Sequence, residues 1–233
     1  MKIAGSTALV TGANRGIGRH FVQQLLERGA AKVYATARRP ELIDVPGAEP
    51  LRLDITDPAS VRAAAEAAPD VTLLINNAGI ATYTNLVTGD LDDVRREMDT
   101  HFYGTLGMIR AFAPNLAGGA ILNVLSVLSW LAHDGANAYS AAKAAEWSLT
   151  NGVRLELAAQ GTLVTGMHLG GAATDMMAGY DGDLLDPADV ARAGLDGIED
   201  GRLEVLVDAA SAQVKAALAE DPSRLYTDLP AAS

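Results

Sequence analysis

The stretch Thr11-Gly12-Ala13-Asn14-Arg15-Gly16-Ile17-Gly18 decides how this chain is read. Immediately before it stands the apolar run Thr7-Ala8-Leu9-Val10, the pattern of a parallel strand buried on both faces. After it Ile17, Phe21 and Leu25 recur every four residues with Val22 and Leu26 beside them, and Gly29 stands where such a helix should stop. Strand, glycine turn and helix in that order aim backbone N–H groups and the positive end of a helix at an anion. Gly12 allows the tight turn, Gly16 the close approach of a pyrophosphate, and Gly18 the packing of helix on sheet. The spacing is Gly-x-x-x-Gly-x-Gly rather than Gly-x-Gly-x-x-Gly. A glycine-rich connection without a ligand is the alternative, and the strand before and helix after weigh against it.

Outward from this turn, strands alternate with helices. Apolar strands are expected at 32–37, 49–53, 71–75, 120–125, 162–168 and 203–207. Helices are expected at 59–68, from Asp90 to Phe112 with a bend near Gly104 and Gly107, and at 140–159, 187–199 and 211–220. Right-handed crossovers then give an α/β fold, a Rossmann-like doubly wound parallel sheet of about seven strands with helices on both faces, in one domain over 1–233. Ligands of such sheets sit beyond the carboxyl ends of the strands. The polar and glycine clusters fall there, at 11–18, 38, 54, 76–79, 126 and 168–175.

Composition narrows the class. The 233 residues suffice for one sizeable core; 49% are hydrophobic and 20% charged, as in a globular chain. Cysteine is absent, which excludes disulfides, thiolate catalysis and Cys-type zinc sites; no metal is expected. No apolar run is long enough for a bilayer, and Met1 to Gly5 lead straight into the first strand, so the expected location is cytoplasmic, without signal peptide or membrane partner. Net charge is −11, of which residues 151–233, with 5 basic and 14 acidic side chains, hold −9. That acidity argues against nucleic acid as a partner and reads as a solvated surface.

The nucleotide can be read from the end of the second strand. A carboxylate there binds the adenosine 2′-hydroxyl, whereas arginine accommodates a 2′-phosphate. Here Ala37 ends the strand and Arg38 follows, and Arg15 inside the glycine turn is a second cation that can fork onto phosphate. With no acidic competitor in view, NADP is favoured over NAD; two ordinary surface arginines are the alternative. Asp54 is placed to accept a hydrogen bond from the adenine amine, or to act as a cap.

Tyr139-Ser140-Ala141-Ala142-Lys143 sets a phenol and an ammonium at i and i+4 on one helix face. A free tyrosine has a pKa of about 10, and a nearby ammonium lowers it, bringing acid–base work within reach. Ser126, ending the fifth strand at the same sheet edge, can donate a hydrogen bond to a carbonyl oxygen as that oxygen gains charge.

These motifs, with Asn76-Asn77-Ala78-Gly79, resemble those of the short-chain dehydrogenase/reductases over nearly the whole chain. The 13-residue interval from Ser126 to Tyr139 is one that family uses, and His168-Leu169-Gly170 with Thr174-Asp175-Met176 is similar to its segment beside the nicotinamide. The resemblance implies hydride transfer at a carbonyl/alcohol pair, with NADP (NADPH) as cofactor. Tyr139 would be the acid in reduction and the base in oxidation, Lys143 would lower its pKa and hold the nicotinamide ribose, and Ser126 would polarise the substrate oxygen. Asn77, Ala78 and Gly79 would line the cofactor ribose and Thr174 would meet the carboxamide, with Asn14, Ile17, Ile55 and Gly170 completing the cofactor contacts. Two departures stand out. His101 occupies the place of an asparagine whose backbone holds a water in the proton relay, so its side chain either perturbs that relay or is a packed helix histidine. Leu169 replaces a proline.

Three stretches should wall the substrate: Ile80–Leu86, Leu128–Ala136 and Met176–Tyr180. Leu128, Trp130, Leu131, Met176 and Met177 are apolar and bulky, and fit a pocket or a core equally; as a pocket they suit an aromatic or aliphatic aldehyde, ketone or secondary alcohol. The short lid after Thr174 suggests an open mouth. The resemblance implies a homodimer through the bent helix and the helix of Tyr139; a tetramer is the other choice, with Ser211–Ser233 placed to cover the edge that would complete it. A non-catalytic NADP-binding redox sensor is the competing function, and the presence of both Tyr139 and Lys143 weighs against it.

Overall fold

The computed structural model describes residues 1–226. Seven strands form one parallel sheet: β1 (Thr7–Thr11), β2 (Lys32–Ala37), β3 (Glu49–Arg52), β4 (Leu73–Asn76), β5 (Ala120–Val124), β6 (Leu163–His168) and β7 (Glu204–Leu206), in the order β3-β2-β1-β4-β5-β6-β7. The order reverses between β1 and β4, so a crevice opens there above the strands' carboxyl ends. The helices are α1 (Gly16–Glu27), α2 (Pro58–Ala67), α3 (Leu91–Met98), α4 (Thr105–Phe112), α5 (Asn137–Glu156), α6 (Pro187–Glu199) and α7 (Ala209–Ala217).

Alternation along each strand divides the core between the two faces. In β1, Ala8 and Val10 join the cluster under α1 and α6, where Phe21, Leu25, Val190 and Leu195 are buried. Leu9 points the other way, to the cluster under α2, α4 and α5 with Val61, Met108, Phe112 and Val153. Burying each large apolar side chain stabilises the fold by roughly 1.5–3 kcal/mol. Helix α1 ends as expected: Gly29 has φ +81°, its N–H bonds to the Leu26 carbonyl and that of Ala30 to Leu25. This is the left-handed stop a glycine permits without a Cβ clash.

Several expected boundaries move. The long helix starts at Asn137 rather than Ser140, because the Ser140 N–H and hydroxyl both bond back to the Ala136 carbonyl and close an earlier first turn. It ends at Glu156 rather than 159, where the chain tightens into a 3-10 turn and leaves through Gly161 at φ +72°. The last helix begins at Ala209 because Asp208, not a later residue, caps it through the Ser211 N–H. Between α3 and α4 lies a π-helical turn, Asp99–Gly104. This turn is the irregularity expected near Gly104 and Gly107. Gly104 lies in it against Ile55, whereas a Cβ on Gly107 would meet nothing. The segment expected to cover the sheet edge begins with α7, which follows β7; residues 227–233 of that segment lie outside the described residues.

Candidate active site

The glycine turn is locked from several sides. Gly12 takes φ +66°, and a Cβ there would stand 2.9 Å from the Ala78 Cα. Gly16 takes φ +52° and faces Thr174, whose methyl would lie 3.1 Å from an added Cβ. At Gly18 an added Cβ would fall 2.2 Å from the Gly12 carbonyl oxygen and 2.6 Å from Asn77 Nδ2. The third glycine therefore lets α1 pack on the turn itself. The Asn77 amide donates to the Thr11 carbonyl at 2.9 Å, and Thr11 Oγ1 accepts from the N–H groups of Asn77 and Ala78. Asn77 lines the cleft as expected, but its side chain braces the turn.

One cleft of about 870 Å³ runs from this turn across the strand ends. Gly12, Asn14, Arg15, Gly16, Ile17, Arg38, Asp54 and Ile55 line one end. Asn77, Ala78, Gly79, Gly170 and Thr174 follow, and Ser126, Tyr139, Lys143 and His101 stand at the other end. Residues more than 150 positions apart in sequence thus share one wall. The cleft and the Cβ-free cradle at its head fit an extended dinucleotide with its pyrophosphate over Gly16 and the N-terminus of α1.

Three cofactor-side details go beyond the sequence reading. Arg15 does have an acidic competitor: its guanidinium meets Asp175 at 2.7 Å across the cleft mouth, with both side chains exposed. Asp54 Oδ1 already accepts from the Thr56 N–H at 3.0 Å and hydroxyl at 2.7 Å. The Gly170 N–H donates to Asp208 Oδ2 at 2.7 Å, so the cap of α7 also holds the segment beside the cleft. Neither Asp175 on Arg15 nor Asp208 on Gly170 was foreseeable from spacing, since the chain separations are 160 and 38 residues.

At the chemical end, Ser126 Oγ accepts the Leu128 N–H at 3.1 Å, which leaves its proton free for a substrate oxygen or for the Tyr139 phenol it reaches. The Lys143 ammonium is buried; it donates to the Val124 carbonyl at 2.8 Å and to Glu146 Oε2 at 2.7 Å, and stands 5.8 Å from the Tyr139 ring centre. Burial opposes the lysine's charge, but Glu146, with Tyr139 and Glu97, outweighs it and raises the ammonium's pKa. Tyr139 departs from the expected direction. Burial raises its pKa most, Lys143 pulls it down, and Glu146 pushes it up again, so the phenol titrates above the ordinary tyrosine value.

His101 is buried, edge-on to the Tyr139 ring at 5.2 Å between centres. Its Nε2 faces the Ile80 carbonyl at 3.0 Å and Glu97 Oε2 at 3.2 Å, so that nitrogen carries a proton. Glu97 is itself fully buried and accepts the Thr82 N–H at 2.6 Å. Burial alone would raise its pKa, but the His101 imidazole beside it and the bond from Thr82 bring it below the ordinary glutamate value. Sequence reading missed Glu97 and Glu146. The available signal was an acid three residues after Lys143 on the buried side of its helix, and another four before His101.

All three expected stretches reach the cleft, through Ile80, Ala81, Tyr83, Leu128, His133, Ala136, Met176, Met177 and Tyr180. Trp130 and Leu131 do not line the cleft. Trp130 stacks on His168 at 3.7 Å, packs edge-on against Trp147 and is 8% exposed, so its indole belongs to the interior. The lid is also tethered: the Tyr83 hydroxyl, on a backbone at φ +53°, bonds the Met176 carbonyl.

The sequence profile of the short chain dehydrogenases matches residues 6–184. The chain belongs to the short chain dehydrogenase family. A short chain dehydrogenase from Burkholderia cenocepacia, solved in complex with NADP, is 38% identical, with a TM-score of 0.94 over 99% of this chain and 100% of that one. Another from Sphingobium yanoikuyae, in complex with NADPH, is 27% identical, with a TM-score of 0.80 over 98% of each chain. An NADPH-dependent 1-acyldihydroxyacetone phosphate reductase of Schizosaccharomyces pombe is 36% identical over 77% of this chain. This short chain dehydrogenase spans 64% of that relative's length. Carbonyl reductase [NADPH] 2 of Sus scrofa is 33% identical over 67% of this chain and 68% of its own. Among the described residues no helix is long and apolar enough to cross a membrane.

Proposed function

We propose that this short chain dehydrogenase is an NADPH-dependent oxidoreductase for a carbonyl/alcohol pair, acting on a mainly apolar aldehyde, ketone or secondary alcohol. The observation that carries the reading is the convergence of Ser126, Tyr139 and Lys143 at one end of the cleft whose other end is the glycine turn. Relatives in complex with NADP or NADPH support the cofactor. Bound along the cleft, the dinucleotide supplies or accepts the hydride.

The chain's own residues do the rest. Arg38 and Arg15 face the adenosine end, where a guanidinium can fork onto a 2′-phosphate. Asn77 stiffens the turn that takes the pyrophosphate. Ser126 donates to the substrate oxygen, and Tyr139 hands that oxygen a proton in reduction or removes it in oxidation. Lys143 has three N–H groups and spends two, on Val124 and Glu146, leaving one for the cleft and the ribose hydroxyls there. Leu128, Ala136, Met176 and Met177 give the substrate an apolar wall, with Tyr83, His133 and Tyr180 as polar points on it. A homodimer through the π turn and α5 is part of this reading; Tyr103 and Leu155 on those elements are 60% and 79% exposed.

The test is oxidation of NADPH with a panel of aldehydes and ketones, beside Tyr139→Phe. Turnover of at least one carbonyl, lost in the variant while NADPH still binds, is expected. Binding of NADPH with no turnover of any carbonyl or alcohol would leave the redox-sensor reading instead.

A further inference from the structure

A row of ionisable side chains lies buried behind the site, and the reaction as described uses only its end. It runs from Glu97 on α3, through His101 in the π turn, to Glu146 and Lys143 on α5. Their exposures are 0%, 1%, 2% and 5%. Glu146 is its centre. One carboxylate oxygen, Oε2, takes the Lys143 ammonium at 2.7 Å and lies 3.7 Å from His101 Nδ1. The other, Oε1, accepts the Thr105 hydroxyl from α4 at 3.1 Å. Lys143 on its own helix and Thr105 on α4 therefore fix this carboxylate in place. On the far side of the imidazole, Glu97 is fixed by Thr82. His101 Nδ1 and Glu97 Oε2 are both buried without a hydrogen-bond partner. Desolvating a carboxylate costs several kcal/mol unless it is paired, so a glutamate here needs its ammonium.

The pairing has a chemical consequence. Lys143 is the cation closest in function to Tyr139, and its attraction is what would release the phenol's proton. A carboxylate on that same ammonium cancels much of the attraction. We propose that Glu146 is a positioning residue for the Tyr139–Lys143 pair, holding the ammonium so that the phenol keeps its proton, the form that donates to a carbonyl. The site is thereby set for carbonyl reduction at neutral pH rather than alcohol oxidation. The groups facing the phenol are Lys143 and Glu146 from α5, Ser126 beyond β5, His101 from the π turn and Glu97 from α3. Burial and then the two carboxylates push its pKa up, and Lys143 and Ser126 pull it down. The inference rests on the proposed function for its meaning, though not for its measurement.

The experiment is a phenolate titration by ultraviolet absorbance on the full chain. The sequence has six tyrosines, so subtracting the curve of Tyr139→Phe isolates the one in question. In the unaltered chain the Tyr139 step should lie above the ordinary tyrosine value. In Glu146→Gln, which keeps the shape and the Thr105 contact, it should move down by about one pH unit. The acidic limb of kcat/KM for alcohol oxidation should move the same way. A Tyr139 step that stays put in Glu146→Gln overturns the proposal, because a glutamate that merely fills space would leave it there. Should Glu146→Gln not fold, the unaltered chain still decides: a Tyr139 step at or below the ordinary value overturns the inference. Absence of turnover with every carbonyl would defeat the proposed function and leave this titration readable.

Discussion

At the scale of single residues, the site divides into groups that act and groups that hold them. Tyr139 is the proposed proton donor, and replacing it with phenylalanine should cut turnover by about 10²–10⁴-fold, the usual worth of a positioned acid, with NADPH affinity unchanged in fluorescence titration. Arg38, the cation proposed for the 2′-phosphate, lines the cleft with no ion-pair partner among the described residues. Arg38→Asp should weaken NADPH far more than NADH in the same titration; an equal loss for both would move the 2′-phosphate elsewhere. Arg15 is different, because Asp175 holds it across the cleft mouth. Asp175→Asn should free that guanidinium and tighten NADPH selectively. That Ser126, Tyr139 and Lys143 share one cleft was legible in the sequence, since Tyr139 and Lys143 share a helix and Ser126 follows a strand at the same sheet edge. Glu146 was overlooked because a glutamate on a helix is ordinarily solvated, and only packing against α4 and the π turn makes it buried.

At the scale of elements, the glycine turn and the π turn do the placing. The first follows from local rules, because a strand, three glycines and an amphipathic helix leave little choice of backbone. A Cβ at Gly18 would collide with the Gly12 carbonyl at 2.2 Å, which is backbone and cannot swing aside. Gly18→Ala should therefore destabilise the fold by roughly 1–3 kcal/mol in urea unfolding and abolish NADPH binding. The cap of α7 is a second joint. Asp208 accepts from Ser211 on the helix and from Gly170 beside the cleft, each at 2.7 Å. Asp208→Ala should cost about 1–2 kcal/mol by the cap alone, and should raise the Kd for NADPH as the Gly170 segment loosens. The π turn could be anticipated only as a bend, since hydrogen-bond patterns of this kind have no residue signature of their own. Its effect is specific all the same: it sets His101 against Tyr139 and between two carboxylates.

At the scale of the whole molecule, the sheet's far half carries a buried group with a global readout. His168 at the end of β6 is fully buried under Trp130, and burial lowers its pKa from 6.5 to about 4. A lowered histidine pKa favours the neutral form when folded. Its contribution is complete above the unfolded value of 6.5 and is lost as pH falls toward about 4. That difference amounts to roughly 3 kcal/mol. Thermal unfolding followed from pH 7 down through this window should show falling stability, and His168→Asn should flatten the slope. Light scattering should report a dimer, and Tyr103→Glu, on the π turn's exposed side, should yield monomers that still bind NADPH.

The amino-acid sequence by itself determined the alternation of strand and helix, the parallel sheet, the glycine cradle and the Ser126–Tyr139–Lys143 set. Each of these depends on periodicity, turn chemistry or spacing within one or two elements. Only the tertiary structure decided that Trp130 belongs to the interior, that Asp175 sits on Arg15, that Asp208 holds Gly170, and that Glu97 and Glu146 bracket His101. These depend on which side chains meet across elements distant in the chain, and on how much water their meeting excludes. Desolvation has no local pattern in sequence, yet it is the largest influence on the proton of the phenol to which the chemistry is assigned.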